Sequence, residues 1–237
     1  MNLTPDPEQT GAWLLAPVPH GAAFNPHHPS ALTTPPNTTL EIAALARFQQ
    51  IAHLGMNKLA ADAELHDALV IGSGPVALGC VLELHRRGAQ RVRVLTTRRD
   101  PPVAAVPGVV LVAATDTHTA DVVIDATGQP HRATAWLNEG GVLGLLGTPN
   151  QAHRLAALPM HRSGWTVHGM HELASYDHAH YREAYATCAR WLTSAVTPHL
   201  TTACCRLVPG AHAPQLFEYL QRPHARPTEP ILILEWQ

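Results

Sequence analysis

Gly72, Gly74 and Ala77 stand at the spacing Gly-x-Gly-x-x-Ala, which is typical of turns that bind the pyrophosphate of a dinucleotide. The apolar run 68–71 before them predicts a buried strand, and the apolar positions after them predict a helix. Such a turn brings backbone N–H groups and the helix N-terminus close to a phosphate. An ordinary strand–helix turn built from small residues is the alternative. The residues of the expected phosphate site are Gly72, Gly74, Pro75, Val76 and Ala77.

The residues after the second predicted strand bear on which dinucleotide fits. An NAD-selective fold usually has a carboxylate at this point, which binds the ribose hydroxyls. This chain has Thr96, Thr97, Arg98 and Arg99 there. The first carboxylate after the strand is that of Asp100. Hydroxyl and guanidinium groups suit a 2′-phosphate, because arginine forms charge-assisted bidentate bonds to it. The sequence therefore favours NADP(H) over NAD(H); the alternative is that the two arginines only solvate a loop.

The composition of the 237 residues argues against several functional classes. Hydrophobic residues make up 46%, and the net charge of −2 offers no electrostatic footprint for nucleic acid. No apolar run reaches the ~18 residues of a membrane span, and the N-terminal region lacks the pattern of a secretory signal. The four cysteines show no metal-ligand spacing. We expect a cytoplasmic protein with reduced cysteines, no bound metal, no membrane or nucleic-acid partner and a small-molecule substrate.

Strand and helix patterns alternate along most of the chain and predict an α/β fold, a doubly wound parallel sheet of the Rossmann type. Residues 1–39 are rich in proline and should form an irregular N-terminal arm or a few short strands. Residues 40–237 should form a dinucleotide-binding domain with a C-terminal extension, its first helix capped by Thr38 or Thr39. The predicted strands are 68–71, 91–96, 109–112, 120–128, 141–147, 165–169 and 231–235. The predicted helices are 40–58, 78–85, 132–137, 181–196 and 213–220.

Four segments, in this order, resemble the cofactor-binding half of the medium-chain dehydrogenase/reductase family: 70–79, 121–128, 140–147 and 167–169. The similarity runs from about residue 40 to the C-terminus. Members of that family begin with a GroES-like catalytic domain that carries the ligands of a catalytic zinc. Here fewer than seventy residues precede the first matching segment, and they contain no Gly-His-Glu sequence. The resemblance therefore implies a truncated member, an NAD(P)-dependent oxidoreductase that works without zinc.

Further candidate site residues follow the later strands, because ligands of a doubly wound sheet lie across the carboxyl ends of its strands. The expected cofactor contacts in these turns are Thr127, Gly128, Gly147, Thr148 and His168. In the resembling family these turns face the adenosine, ribose and nicotinamide, which implies a nicotinamide end near His171, Glu172 and Tyr176. His171 is then the leading candidate for a proton donor, with Glu172 to orient it and Tyr176 as the next candidate.

The preferred function is an NADPH-dependent, zinc-independent reductase of a small carbonyl or enone, with its substrate held by the N-terminal arm and the C-terminal segment. Two alternatives belong to other classes: an NADP(H)-binding protein without hydride chemistry, and a non-redox cyclase or isomerase on the same fold. The resemblance also implies a homodimer that pairs along the edge strand 165–169. The alternative there is that a loop covers the edge.

Overall fold

The computed structural model describes residues 2–16, 18–19, 22, 25–59, 65–116, 118–149, 154–172, 176–222 and 225–235. Within them the elements are, in chain order, β1 (Asn2–Pro5), β2 (Trp13–Ala16), β3 (Leu32–Thr33), α1 (Leu40–Met56), β4 (Leu69–Ile71), α2 (Pro75–Arg86), β5 (Val92–Leu95), β6 (Val109–Val112), β7 (Ala120–Asp125), α3 (Pro130–Ala133), β8 (Leu137–Leu145), α4 (Ala157–Ser163), β9 (Thr166–Gly169), α5 (His178–Ala195), α6 (Pro198–Cys204), β10 (Cys205–Pro209), α7 (Ala213–Gln221) and β11 (Ile231–Glu235).

The central layer is a six-stranded sheet with the order β6-β5-β4-β7-β8-β9. Every neighbouring pair in it is parallel. The chain moves outward from β4 to β6 and then returns to continue from β7 on the other side. The predicted doubly wound Rossmann-type sheet is confirmed. The direction of winding reverses between β4 and β7, and the crevice that binds ligands in such sheets opens at this point.

Both faces of the sheet are covered, which explains the near-continuous apolar character of its strands. On one face Val70 and Ile124 are fully buried under α1, α2 and α5. On the other face Leu69 and Leu143 are fully buried against the segment that includes α3. Buried parallel strands of this kind are recognisable from the sequence because nearly every position is apolar.

α1 lies against α2 so closely that one contact depends on a glycine. A Cβ on Gly79 would stand 2.2 Å from the backbone oxygen of Phe48. α1 begins at the predicted cap, because the Thr39 side chain accepts a hydrogen bond from the N–H of Ile42. The helix is therefore held at a fixed position beside the glycine turn that precedes α2.

The N-terminal residues form short strands rather than an irregular arm. β1, β2 and β3 make an antiparallel sheet in that order. The indole Nε1 of Trp13 donates to the oxygen of Thr38 at 2.7 Å and ties this sheet to the start of α1. Among the described residues, no helix is both long and apolar enough to cross a bilayer.

The later part of the chain, from β8 onward, differs from the prediction in several respects. β11 has its predicted bounds, but it pairs with β10 in a separate two-stranded parallel sheet. β8 begins at Leu137, four residues before the predicted start. The pairing of β7 with β8 shifts between Ala120 and Val122, so the polar residues 138–140 fall in an irregular stretch of the strand. α4, α6 and β10 were not predicted.

Candidate functional site

The glycine turn between β4 and α2 has the shape that a phosphate site requires. Gly72 has φ +121° and donates its N–H to the oxygen of Leu95 at 2.8 Å. A Cβ on Gly72 would meet Thr127 Cγ2 at 3.0 Å, whereas a Cβ on Gly74 would meet nothing within 4 Å. Gly74 caps α2 without a side-chain hydrogen bond, and Pro75 follows it. The N–H groups of the first turn, at Val76 and Ala77, have no carbonyl partner within the helix, so this end suits an anion.

The end of β5 is linked to this turn by hydroxyl groups. Ser73 Oγ and Thr96 Oγ1 are 2.7 Å apart, and Thr96 Oγ1 also accepts from the N–H of Arg98 at 3.1 Å. Arg98 Nη1 donates to the oxygens of Pro227 and Thr228 at 3.0 and 3.2 Å. Since a guanidinium has five N–H donors and the side-chain contacts of Arg98 to other described residues use only Nη1, its Nε–Nη2 edge could pair with a phosphate.

The turns after β7 and β8 pack directly on each other. Asp125 is fully buried, and its Oδ1 accepts from the N–H and the hydroxyl of Thr127 at 2.8 and 2.6 Å. A Cβ on Gly128 would stand 2.3 Å from the oxygen of Thr148, and one on Gly147 would stand 2.5 Å from the nitrogen of Gly128. These two glycines therefore have a packing role that needs no ligand.

The loop after β9 is fixed to α1 at Glu172. Glu172 forms a bidentate pair with Arg47, in which Nη2 and Oε1 are 2.5 Å apart, and accepts from the Tyr181 hydroxyl at 3.1 Å. Burial alone would lower the pKa of Arg47, but the hydrogen bond and charge of Glu172 raise it overall. The Glu172 carboxylate therefore forms an ion pair that joins the loop to α1.

Tyr176 and Lys58 hold the same loop at the end of α1. The Tyr176 hydroxyl donates to the oxygen of Leu54 at 2.8 Å, and its ring stacks on His180 with centroids 4.8 Å apart. Lys58 Nζ lies 5.2 Å from the centre of the Tyr176 ring and donates to the backbone oxygen of His171. Burial lowers the pKa of Lys58 and raises that of Tyr176. His171 itself is exposed.

One cavity of about 2130 Å³ joins the glycine turn to the two terminal sheets. Of the sequence-predicted residues, it is lined by Gly72, Gly74, Pro75, Thr96, Thr97, Arg98 and Thr127. The remaining ones, which do not line it, are Val76, Ala77, Arg99, Gly128, Gly147, Thr148, His168, His171, Glu172 and Tyr176. The catalytic assignment to His171, Glu172 and Tyr176 stays a prediction, and the structure places them beside α1.

Sequence reasoning missed many side chains that line this cavity, among them the polar ones of Ser73, Arg47, Arg132 and Arg226. Ser73 stands inside the glycine motif and could have been included on that ground. Arg47 is the one basic residue in an otherwise apolar and polar-neutral stretch of α1, 42–52, which is a weak signal. The C-terminal segment carries no local signal that it folds over the end of β5.

The described residues contain no group of three or more His, Cys, Asp or Glu side chains that could hold a metal ion. The four cysteines are buried and free. Burial raises the pKa of Cys204 and Cys205 to about 12, and it also raises the pKa of Cys80 and Cys188. The thiolate form that binds metals is therefore disfavoured at all four positions.

Comparison with known proteins shows similarity in structure only. No protein-family model and no curated relative matches the sequence. An alcohol dehydrogenase from Thermus sp. ATN1 matches 86% of this chain and 63% of its own, with 19% identity and a TM-score of 0.65. The 2R,3R-butanediol dehydrogenase from Bacillus subtilis matches 86% of this chain and 60% of its own, with 15% identity and a TM-score of 0.65. The yhdH oxidoreductase from Salmonella enterica in complex with NADP matches 80% of this chain and 62% of its own, with 16% identity and a TM-score of 0.57.

The chain spans about three fifths of the length of these solved structures. The match covers most of this chain, and its six-stranded parallel sheet has the strand order of a dinucleotide-binding domain. The resemblance read from the four sequence segments is thereby confirmed at the level of the fold: the chain has a Rossmann-type fold similar to that of the dehydrogenases it matches.

Proposed function

We propose that the protein binds NADP(H) across the carboxyl end of its parallel sheet and acts as an NADP(H)-dependent oxidoreductase. One observation carries the proposal: the open space in front of Gly74 at the N-terminus of α2 belongs to the same cavity as Thr96, Thr97 and Arg98. The space at the N-terminus of α2 suits a pyrophosphate, and the hydroxyl and guanidinium groups at the end of β5 suit a 2′-phosphate. Similar solved structures include an oxidoreductase in complex with NADP.

The bound cofactor would supply or accept a hydride at its nicotinamide ring, and the chain's own residues would hold it. Val76 and Ala77 would offer backbone N–H groups to the pyrophosphate, and Gly74 would leave room for it. The Nε–Nη2 edge of Arg98 would pair with the 2′-phosphate. Thr127, whose turn is fixed by the buried Asp125, forms the cavity wall between these places and β7.

Titration of the protein with NADPH tests this proposal, and Gly74→Ala sharpens it. Gly74 has φ −81° and ψ −174°, a conformation that alanine adopts freely, so the variant should be unchanged in stability or slightly more stable. Its new methyl group would occupy the space needed by the pyrophosphate, and we expect the Kd for NADPH to rise at least about tenfold. Isothermal titration calorimetry measures the Kd for NADPH, and thermal melting measures the stability of the variant. Wild-type protein that binds no NADPH, or a variant that binds it equally well, would contradict the proposal.

We propose further that the reaction is the reduction of a carbonyl or enone without zinc. The four buried, protonated cysteines, which disfavour the thiolate form that binds zinc, support the absence of zinc from the reaction. His171 is the proposed proton donor, on a loop that Lys58 and Arg47 fix beside α1. His171→Ala should lower kcat in a carbonyl panel and leave the Kd for NADPH unchanged. A variant with wild-type turnover removes His171 from the mechanism, and NADPH binding without any turnover favours a binding protein or a non-redox enzyme.

A homodimer is proposed from the position of β9. In the described part of the chain, β9 pairs with β8 on one side only and forms the outer strand of the sheet. Open edges of this kind are usually protected, and pairing with a second copy would protect this one. Sedimentation at micromolar concentration should give twice the chain mass of 25.5 kDa. A species of the single-chain mass would contradict the dimer.

A further inference from the structure

The cavity that contains the glycine turn is too large for one ligand. Sites for a single small molecule usually enclose roughly 300–1,000 Å³. This cavity is an open cleft of about 2130 Å³ that extends from the carboxyl end of the sheet to the N-terminal and C-terminal sheets. It therefore has room for a second molecule beside a dinucleotide.

The two ends of the cavity differ in chemistry. At the sheet end lie the N-terminus of α2, Arg98 and Arg132, which suit phosphate groups. At the other end the walls come from four elements in three distant parts of the sequence. They are β1 and β2 with Leu3 and Leu14, α1 with Phe48, and α7 with Leu216, Phe217 and Leu220. The phosphates of a dinucleotide would have no partner among these apolar side chains.

α7 contributes apolar side chains that folding alone does not bury. Leu216 is buried, but Phe217 is 45% and Leu220 39% exposed, and both line the cavity. Large exposed apolar groups gathered at one concave surface mark a binding site for an apolar ligand. Tyr219, on the same helix, is also 39% exposed and does not line the cavity.

The charged side chains near this apolar end do not favour an anion. Arg47 of α1 is paired with the Glu172 carboxylate through both of its terminal nitrogens. On the C-terminal wall Arg226 is accompanied by two carboxylates, Glu229 and Glu235. A ligand with its own carboxylate would meet these two carboxylates as well as Arg226, and it would lose hydration on binding.

We propose that the apolar end of the cavity is the substrate site and that the substrate is an uncharged, predominantly apolar carbonyl compound rather than a sugar or a carboxylate. This assignment rests on the proposed oxidoreductase function. The apolar end is formed by elements from both ends of the chain, and the sheet end holds the cofactor. A substrate bound at the apolar end would thus approach the cofactor from the side of α1.

Binding of methyl ketones of increasing length, from butanone to decanone, tests the assignment by calorimetry. Each added methylene that becomes buried should tighten binding about threefold to fourfold, which corresponds to about 0.8 kcal/mol. Decanoate, which has the same number of carbons as decanone, should bind at least about tenfold more weakly than decanone because its carboxylate would lose hydration on entering an apolar site whose wall also carries Glu229 and Glu235.

Substitutions at two residues of α7 locate the site, because Leu220 and Tyr219 are equally exposed but only Leu220 lines the cavity. Leu220→Glu should weaken decanone binding at least about tenfold and leave NADPH binding unchanged, since it places a charge against the bound chain. Tyr219→Glu should change neither. Affinity independent of chain length, or equal effects of the two variants, would overturn the assignment. If the ketones bind as expected but NADPH does not bind, the apolar site is supported and the proposed function is refuted. If NADPH binds but the ketones do not, only the apolar site is refuted.

Discussion

The Glu83→Gln variant is expected to lose about 3 kcal/mol of unfolding free energy at neutral pH, the lower part of the range for breaking a buried ion pair. The Glu83 side chain on α2 is fully buried. Its Oε1 accepts from Arg86 Nη2 and Arg87 Nε, both at 2.7 Å, and His53 Nδ1 of α1 lies 2.9 Å away. Glutamine keeps the size of the side chain and removes the charge that these partners surround.

The same carboxylate should make the wild type sensitive to acid. Burial alone would raise the pKa of Glu83, but hydrogen bonds from Arg86 and His53 and the charges of Arg86 and Arg87 lower it to about 2, from an ordinary value of 4.5. Because the folded-state pKa is the lower one, this stabilisation is fully present above pH ~4.5 and is lost as the pH falls toward ~2. Urea unfolding across this range should show a steeper loss of stability for the wild type than for Glu83→Gln.

Glu183 provides the matched control for this experiment. It also pairs with an arginine, Arg190 at 2.7 Å, but both side chains are more than half exposed. Surface pairs of this kind contribute little to stability, so Glu183→Gln should unfold like the wild type. If Glu83→Gln were as stable as Glu183→Gln, the cluster at the α1–α2 interface would not be a stabilising feature of this fold.

The sheet could be predicted from the sequence because its strands are buried on both faces. Runs such as 69–71 and 122–124 are wholly apolar, and short turns separate them from helical patterns. The early part of β8 could not be predicted, since Asn138, Glu139 and Gly140 read as a turn. Gly140 does adopt a positive φ of 73°, yet the strand continues through it. β10 and α6 are too short to show a period.

The candidate site could be predicted only where its contacts are local. The glycine turn depends on residues within one strand–helix unit, and the structure gives it the expected geometry. The contact of Arg98 with Pro227 joins residues 129 positions apart, and that of Arg47 with Glu172 joins residues 125 apart. No periodic pattern records such pairs, because they depend on how the C-terminal segment and the β9 loop fold onto the sheet. For the same reason the apolar half of the cavity could not be foreseen.

Replacing Arg98 with alanine should abolish the preference for NADPH over NADH. Loss of one charge-assisted pair with a 2′-phosphate is worth about 1.5–3 kcal/mol, or roughly tenfold to a hundredfold in the Kd for NADPH. NADH has no 2′-phosphate, so its Kd should stay the same. Fluorescence titration of both cofactors against the wild type and the variant measures the change.

Arg99→Ala is the matched control, since Arg99 is the adjacent residue with the same side chain and does not line the cavity. Its Kd for NADPH should remain close to that of the wild type. Arg98→Lys should recover only part of the affinity, because an ammonium group cannot reproduce the bidentate geometry of the guanidinium. Equal affinity of the wild type for NADH and NADPH would refute the cofactor preference.

Arg98 has a second set of contacts, which yields an independent readout of the same substitution. Its Nη1 group holds the oxygens of Pro227 and Thr228, in the segment that forms the C-terminal wall of the cavity. Amide hydrogen exchange in residues 225–230 should therefore quicken in Arg98→Ala and stay unchanged in Arg99→Ala. In the wild type, NADPH should slow exchange there more than NADH does, because a 2′-phosphate on the Nε–Nη2 edge fixes the guanidinium that holds this segment. Equal protection by the two cofactors would show that Arg98 does not connect the cofactor site to the C-terminal wall.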